Sequence, residues 1–466
     1  MFKDLRYWLK LLEENDLLIR VKKEVDPKTQ IGTLASESRK AILFENVKGH
    51  PGWKVCTGIM QLREQQALLL NTTPDNVVAK LAELLARGTK ECKMVSSGPV
   101  KEKIFIGDEV DLTKIPVVIH STTCGGPYIS AGTCITKDPD TGIRNLACLR
   151  LQVLGKDQTA CQMALRHTWM NYQKYEKENR PMPMAVAIGM HPAYEVATNY
   201  TTTYPLDELG FVEPMLGEPV ELVKCETIDM EVPANAEIVI EGELLPKVRV
   251  DEGPFAEYTG YSKQALGKNM APLFKVKAIT MREDAIYRHI QTVRYTDHQA
   301  LAALPIEAHI YNRVKGVGGH VNIKNVYVPP WGGNFVVIIQ MVPRFDTEPR
   351  SVILAALSSA YHHPKIIIVV DDDVDITDPR EIIWSIGTRV DPAKDVIVLP
   401  GVGTAESLDI SLPILANLPV GSQFRVGNRL GIDATKPPTL REKERAMFER
   451  AVPKGEGKFL LKNFLS

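Results

Sequence analysis

The sequence predicts a mixed α/β protein of more than one domain, and three observations carry that prediction. The chain has 466 residues, more than one ordinary domain holds and enough for two or three. From about residue 120 to 300 strand signals dominate and helices are few. After about 300, buried strands alternate with helices, the pattern of an α/β region with a partly parallel sheet.

Taken in order, the first region is mixed. Residues 2–15 read as an amphipathic helix, with Phe2, Leu5, Trp8, Leu9 and Leu12 on one face and charges opposite. Residues 16–60 read as short strands and loops around a second helix near 30–41. A helix over 73–87 is opened by Thr73, Pro74 and Asp75 and closed near Gly88. A connector over 101–120 ends in the apolar run from Ile115 to Ile119. Strands over 129–137 and 143–153 flank the turn Asp138-Pro139-Asp140-Thr141-Gly142. Further strands are expected over 184–189, 220–225, 237–243, 274–281 and 285–291, which together suggest an antiparallel sheet or barrel. Beyond 300, helices over 301–314, 350–362 and from 379 alternate with strands over 335–342, 366–370 and 396–399. The tail from 437 is highly charged, helical around 440–451, and suited to packing on another subunit.

Composition excludes several classes. Hydrophobic content of 44% and charged content of 24% describe a soluble globular protein. A net charge of −1 gives no electrostatic footprint for nucleic acid. No apolar run reaches the roughly 18 residues of a membrane span, and the charged, amphipathic start is no signal peptide. Seven scattered cysteines without a C-x-x-C pair fit a reducing cytoplasm and argue against disulfides or a structural zinc site. The glycines around 316–319 and 401–403 complete no dinucleotide or P-loop spacing, and G-x-S-x-G is absent.

The richest stretch runs from Val250 to Tyr261. Glu252 and Glu257 are five residues apart, which on a straight strand sets them on opposite faces. Gly253-Pro254 breaks the strand and can turn both carboxylates into one pocket walled by Phe255, Tyr258 and Tyr261. A carboxyl beside aromatic walls is suited to proton transfer. The same composition also describes a solvated surface turn. Asn145 and Arg150 flank an apolar strand and, taken alone, read first as a strand-end amide and a snorkelling arginine. His167 beside Arg166 and the acid Glu208 in a Thr/Tyr/Pro-rich loop are each ordinary alone. Asp371, Asp372 and Asp373 follow a buried strand and read first as a capping and turn cluster.

Together these pieces resemble the UbiD family of (de)carboxylases, which use prenylated FMN. The carriers are Asn145-x4-Arg150, His167, Glu208, the run 224–242, Glu252-Gly-Pro-Phe-Ala-Glu257 and the run 369–375. The resemblance covers nearly the whole chain. It implies an N-terminal α/β domain (1–110), a split β-barrel flavin-binding domain (111–315) and a C-terminal α/β oligomerisation domain with a terminal helix (316–466). Arg150, Glu252 and Glu257 match the family's catalytic network, with Glu257 as proton donor. Asn145, His167 and Glu208 match the ligands of Mn2+ or Mg2+ bridging protein to the cofactor phosphate, with K+ as a further cation. Cys148, Leu149 and Arg150 and the stretch Met163, Ala164, Leu165, Arg166 and His167 are expected along the flavin, and Lys365 at its phosphate.

The family's reaction is reversible decarboxylation through a covalent adduct between substrate and flavin. A cofactor is needed because no side chain offers an electron sink to the carbanion left at an sp2 carbon. The expected substrate is an aromatic or heteroaromatic acid of hydroxybenzoate, furan or pyrrole type, with Tyr258, His289, Arg294 and His298 on its side of the pocket. The partners implied are that acid and CO2, a flavin prenyltransferase that supplies the cofactor, and further copies of the chain in a homodimer or homohexamer. The carboxylase direction, an FMN oxidoreductase and a flavin carrier are the alternatives.

Overall fold

The computed structural model describes residues 3–262, 269–405, 408–412, 424–454, 459 and 461–464. Helix Leu5–Glu14 buries Leu5, Trp8, Leu9 and Leu12, as the spacing predicts, and Asp4 caps it by accepting the Tyr7 N–H at 2.9 Å. Phe2, expected on the same face, lies outside the described residues.

Among the described residues there are four sheets. The largest has nine strands, and its connectivity forces it to curl. Strand Arg144–Cys148 lies at one end of the strip, while Arg150–Val153, which begins two residues later, lies beside the other end. Two residue steps span at most about 7 Å, so the two ends of the strip meet at Leu149. The strands Tyr128–Ile129 and Thr133–Lys137 make the same crossing over 130–132. There Gly132 lets the backbone pass Val186: a Cβ would sit 2.7 Å from its Cγ1. The result is a split barrel with its seam at 148–150. The strands expected over 129–137 and 143–153 therefore each break in the middle.

The C-terminal sheet has parallel strands Val336–Val342, Ile366–Val370 and Phe424–Ala434, with antiparallel Asn322–Tyr327 and Val396–Ala405 at its edges. Helices Asp297–Lys315, Glu348–Leu357 and Pro379–Arg389 accompany it. The strand expected over 285–291 shortens to Ile286–Arg288 and pairs in parallel with Lys54–Thr57 of the four-stranded N-terminal sheet. Helices Arg63–Leu69, His167–Lys177 and Pro192–Asn199 were not expected from the sequence. In the tail the helix covers only Glu442–Ala446. No described helix is long and apolar enough to cross a membrane.

Candidate active site

A cavity of about 600 Å3 opens at the barrel seam. Cys148, Leu149 and Arg150 form its wall there, because the chain crosses the seam at that point. Arg150 is the hub. Its Nε and Nη2 donate to the two oxygens of Glu252 at 2.9 and 3.1 Å, and its Nη1 donates to Glu257 Oε1 at 2.5 Å. The guanidinium lies 4.5 Å from the centre of the Phe255 ring. Burial opposes the charge on Arg150, but Glu257 and Glu252 outweigh it and hold the group protonated. Glu252 is fully buried and also accepts the Tyr128 hydroxyl at 3.0 Å.

The turn at Gly253-Pro254 does bring both carboxylates to one cation. Gly253 sits at φ +100° and the Gly253-Pro254 peptide is cis. Neighbours clamp the turn. Gln152 accepts the Gly253 N–H at 2.9 Å, the Pro254 carbonyl accepts the Gly125 N–H at 2.8 Å, and Thr292 donates to the Ala256 carbonyl at 2.8 Å. Phe255 and Tyr258 border the cavity as expected. Tyr261 does not; it is 54% exposed, and only its carbonyl takes part, accepting the Glu257 N–H at 2.9 Å.

Asn145, His167 and Glu208 also meet at this cavity. The Asn145 Nδ2 donates to Thr168 Oγ1 at 2.8 Å, which turns Oδ1 the other way. Glu208 is buried and accepts the Leu146 N–H at 2.9 Å through Oε2 and the Thr202 hydroxyl at 3.3 Å through Oε1, which lies 3.8 Å from His167 Nδ1. An amide oxygen, a carboxylate and an imidazole nitrogen make a donor set suited to Mn2+ or Mg2+, so these residues fit the metal the resemblance implies. Asp371, Asp372 and Asp373 also cluster, but Arg445 and Lys436 face Asp371, while Arg389 and Arg450 face Asp373. Cations of the protein already serve that cluster, in keeping with its structural reading.

The remaining expectations divide. Ala164, Leu165, Arg166, Tyr258 and His298 border the cavity. Met163 is buried in the core beside it. Lys365 is turned to Asp409 at 3.0 Å and Ser411 at 2.6 Å rather than to the cavity. Arg294 is exposed, with its guanidinium 5.3 Å from the centre of the Tyr295 ring. His289 is fully buried one layer behind the wall. Gln291 Nε2 donates to the His120 carbonyl at 3.1 Å, so Gln291 Oε1 faces His289 Nε2 at 3.0 Å and must accept its proton. His289 Nδ1 is then the acceptor for Ser130, 3.1 Å away, and Ser130 is the residue that borders the cavity.

The sequence reading missed Tyr128, and it missed Tyr361, His362 and His363, which line the cavity from the C-terminal region. Tyr361 donates to the Asn199 carbonyl at 3.1 Å and accepts the Thr201 N–H at 2.9 Å. No local pattern marks these residues; tertiary packing brings them in.

Comparison with known proteins gives a consistent answer along the whole chain. Three domains of 3-octaprenyl-4-hydroxybenzoate carboxy-lyase match in order: the N-terminal domain over residues 9–85, the Rift-related domain over 93–295 and the C-terminal domain over 299–434. A curated relative, anhydromevalonate phosphate decarboxylase of Methanothermobacter thermautotrophicus, is 32% identical over 88% of this chain and 92% of its own. An evolved dimeric form of the UbiD-class enzyme HmfF from Pelotomaculum thermopropionicum, solved with prFMN, is 35% identical with a TM-score of 0.87, covering 100% of both chains. The apo 3,4-dihydroxybenzoic acid decarboxylase of Enterobacter cloacae is 30% identical with a TM-score of 0.85, covering 97% of each.

Proposed function

Because the chain belongs to the UbiD family of carboxy-lyases, we propose that it decarboxylates, reversibly and without net oxidation, an aromatic or heteroaromatic acid of hydroxybenzoate, furan or pyrrole type. The observation that carries this reading is Arg150 bridging Glu252 and Glu257 on the wall of a cavity large enough for a cofactor and a small acid. A protein that only carried flavin would have no use for two carboxylates held on one guanidinium.

The chain's own residues divide the work. Glu252 lies behind the wall with its oxygens engaged by Arg150 and Tyr128, so it orients the arginine. Glu257 borders the cavity and is the group able to deliver a proton to the carbon that loses CO2. Prenylated FMN, when bound, supplies the electron sink for that carbon. Asn145, His167 and Glu208 would hold Mn2+ or Mg2+ beside the cofactor phosphate. Their donor chemistry and the prFMN bound to the HmfF relative support this assignment. The free thiols of all seven cysteines suit a cytoplasmic protein.

A second reading is favoured by the curated relatives, which are named anhydromevalonate phosphate decarboxylase at 32% and 31% identity. On that reading the acid is unsaturated but not aromatic and carries a phosphate. Both readings require the same network and the same proton donor.

The test is Glu257→Gln in protein co-expressed with a flavin prenyltransferase, assayed for CO2 release from a panel of aromatic and unsaturated acids. The expected result is retained prenylated FMN and turnover lower by about 10²- to 10⁴-fold. Unchanged turnover on any acid would remove Glu257 from the reaction, and retention of plain FMN alone would remove the cofactor assignment.

A further inference from the structure

This inference rests on the decarboxylase reading and concerns what holds the proton donor in place. Glu257 follows Phe255 and Ala256 on the turn. Both of those residues touch one pair of side chains, His120 and Cys124, on the segment that leads into strand Tyr128–Ile129. The Ala256 N–H donates to Cys124 Sγ at 3.5 Å. The same sulfur lies 3.0 Å from His120 Nε2. The His120 ring meets the Phe255 ring edge-on, 4.8 Å between centres, and Phe255 in turn carries the Arg150 guanidinium at 4.5 Å.

His120 is itself anchored. It is 4% exposed, and its carbonyl accepts Gln291 Nε2 at 3.1 Å. A thiol accepts a hydrogen bond and also has a proton to give, so Cys124 can take the Ala256 N–H and offer its S–H to the imidazole. In either direction of the contact with His120, the sulfur is fixed between ring and amide. The Ala256 carbonyl takes the Thr292 hydroxyl at 2.8 Å. The N–H and the carbonyl belong to the two peptide planes on either side of Ala256, so pinning both fixes its two soft dihedrals and the direction in which Glu257 leaves the backbone. Neither His120 nor Cys124 is among the described residues that line the cavity, so their effect on the reaction passes through the turn.

We propose that Cys124, seated on His120, is a positioning residue for the proton donor: its sulfur is the hydrogen-bond acceptor that sets the backbone from which Glu257 reaches the carbon that loses CO2. A buried cysteine that merely fills the core needs only the right volume; a clamp needs an acceptor.

Three substitutions separate the two. Cys124→Ser keeps an acceptor and a donor, Cys124→Val keeps bulk without either, and Cys124→Ala keeps neither. Each variant, co-expressed with a flavin prenyltransferase, is compared with wild type by amide hydrogen exchange of the segment 253–258 and by kcat, KM and the solvent deuterium isotope effect on CO2 release. The expected result is exchange at the Ala256 amide about 10-fold faster in Cys124→Ala and Cys124→Val. In the same two variants kcat falls about 10- to 100-fold with KM and flavin content unchanged, and the isotope effect on kcat grows because proton delivery becomes the slow step. Cys124→Ser recovers most of the protection and most of kcat. Recovery in Cys124→Val instead of Cys124→Ser would show that the residue only fills space and would overturn the proposal. Wild-type exchange in Cys124→Ala, or faster exchange with kcat unaltered, would overturn it as well. Exchange reads the clamp without turnover, so a wild-type enzyme that released no CO2 from any acid would count against the decarboxylase reading alone.

Discussion

Tyr128 is the residue that turns Arg150 from a flexible cation into a fixed one. Glu252 receives two N–H groups from Arg150 and the hydroxyl of Tyr128. Burial first, and then the charge of Glu252, push the Tyr128 phenol well above its ordinary range, so it remains an O–H donor at any working pH. Its ring also packs edge-on against Phe255 at 4.8 Å, beneath the guanidinium. Tyr128→Phe keeps the ring and removes the hydroxyl, leaving Glu252 short of one donor in a buried place. The expected cost is about 1 to 3 kcal/mol in urea unfolding, with a several-fold fall in kcat and flavin retained. Unchanged stability and kcat would mean that Arg150 alone orients Glu252. The sequence marks Glu252 and Arg150, since charged groups beside apolar runs stand out, but it does not mark Tyr128. A buried tyrosine has the same sequence texture whether its hydroxyl serves a carboxylate or a carbonyl. His289 fails in the opposite sense: it stands out as a histidine near the right place, yet Ser130 stands between it and the cavity.

At the scale of elements, two loops hold the proton donor. The loop over 121–127 lies against the turn at Gly253-Pro254, and Gly125 is the point of contact: its N–H reaches the Pro254 carbonyl, and a Cβ there would stand 2.2 Å from the Gly253 carbonyl oxygen. No backbone tolerates that approach. Gly125→Ala must displace the turn that carries Glu252 and Glu257, so kcat is expected to fall about 100-fold while the protein stays folded by circular dichroism. Wild-type kcat in that variant would show that the turn is held from elsewhere. The turn itself was legible because glycine and proline act locally. The breaks at 130–132 and at Leu149 were not, because barrel closure imposes them from strands far away in sequence. Helix His167–Lys177 had a readable signal, Trp169, Tyr172 and Tyr175 at a spacing of three with Lys174 and Lys177 in the last turn.

Over the whole molecule, the site depends on joins between regions that the sequence presents one after another. Ile286–Arg288 leaves the central region to complete the N-terminal sheet, and Arg288, fully buried, pairs with Glu195 and Asp297. The same packing that makes these joins buries histidines. His120, His191 and His289 are at most 4% exposed, and burial lowers their pKa to about 3, about 3 and about 4. In the unfolded chain each titrates near ~6.5. A depressed folded value means that the unfolded state binds the proton first, so stability is whole above pH ~6.5 and is lost as pH falls toward about 4 for His289 and about 3 for His120 and His191. Each histidine contributes up to about 1.4 kcal/mol per pH unit in that window. The unfolding temperature is therefore expected to drop steeply between pH 6.5 and 5. His191 allows this to be checked without touching the cavity. It packs on Trp8 at 5.2 Å and caps helix Pro192–Asn199 by accepting the Ala193 N–H through Nδ1. Asparagine can supply the same cap without titrating. His191→Asn should therefore flatten the acid slope of unfolding by about one proton's worth while leaving kcat intact, and an unaltered slope would mean that carboxylates rather than buried imidazoles set the acid limit of this fold.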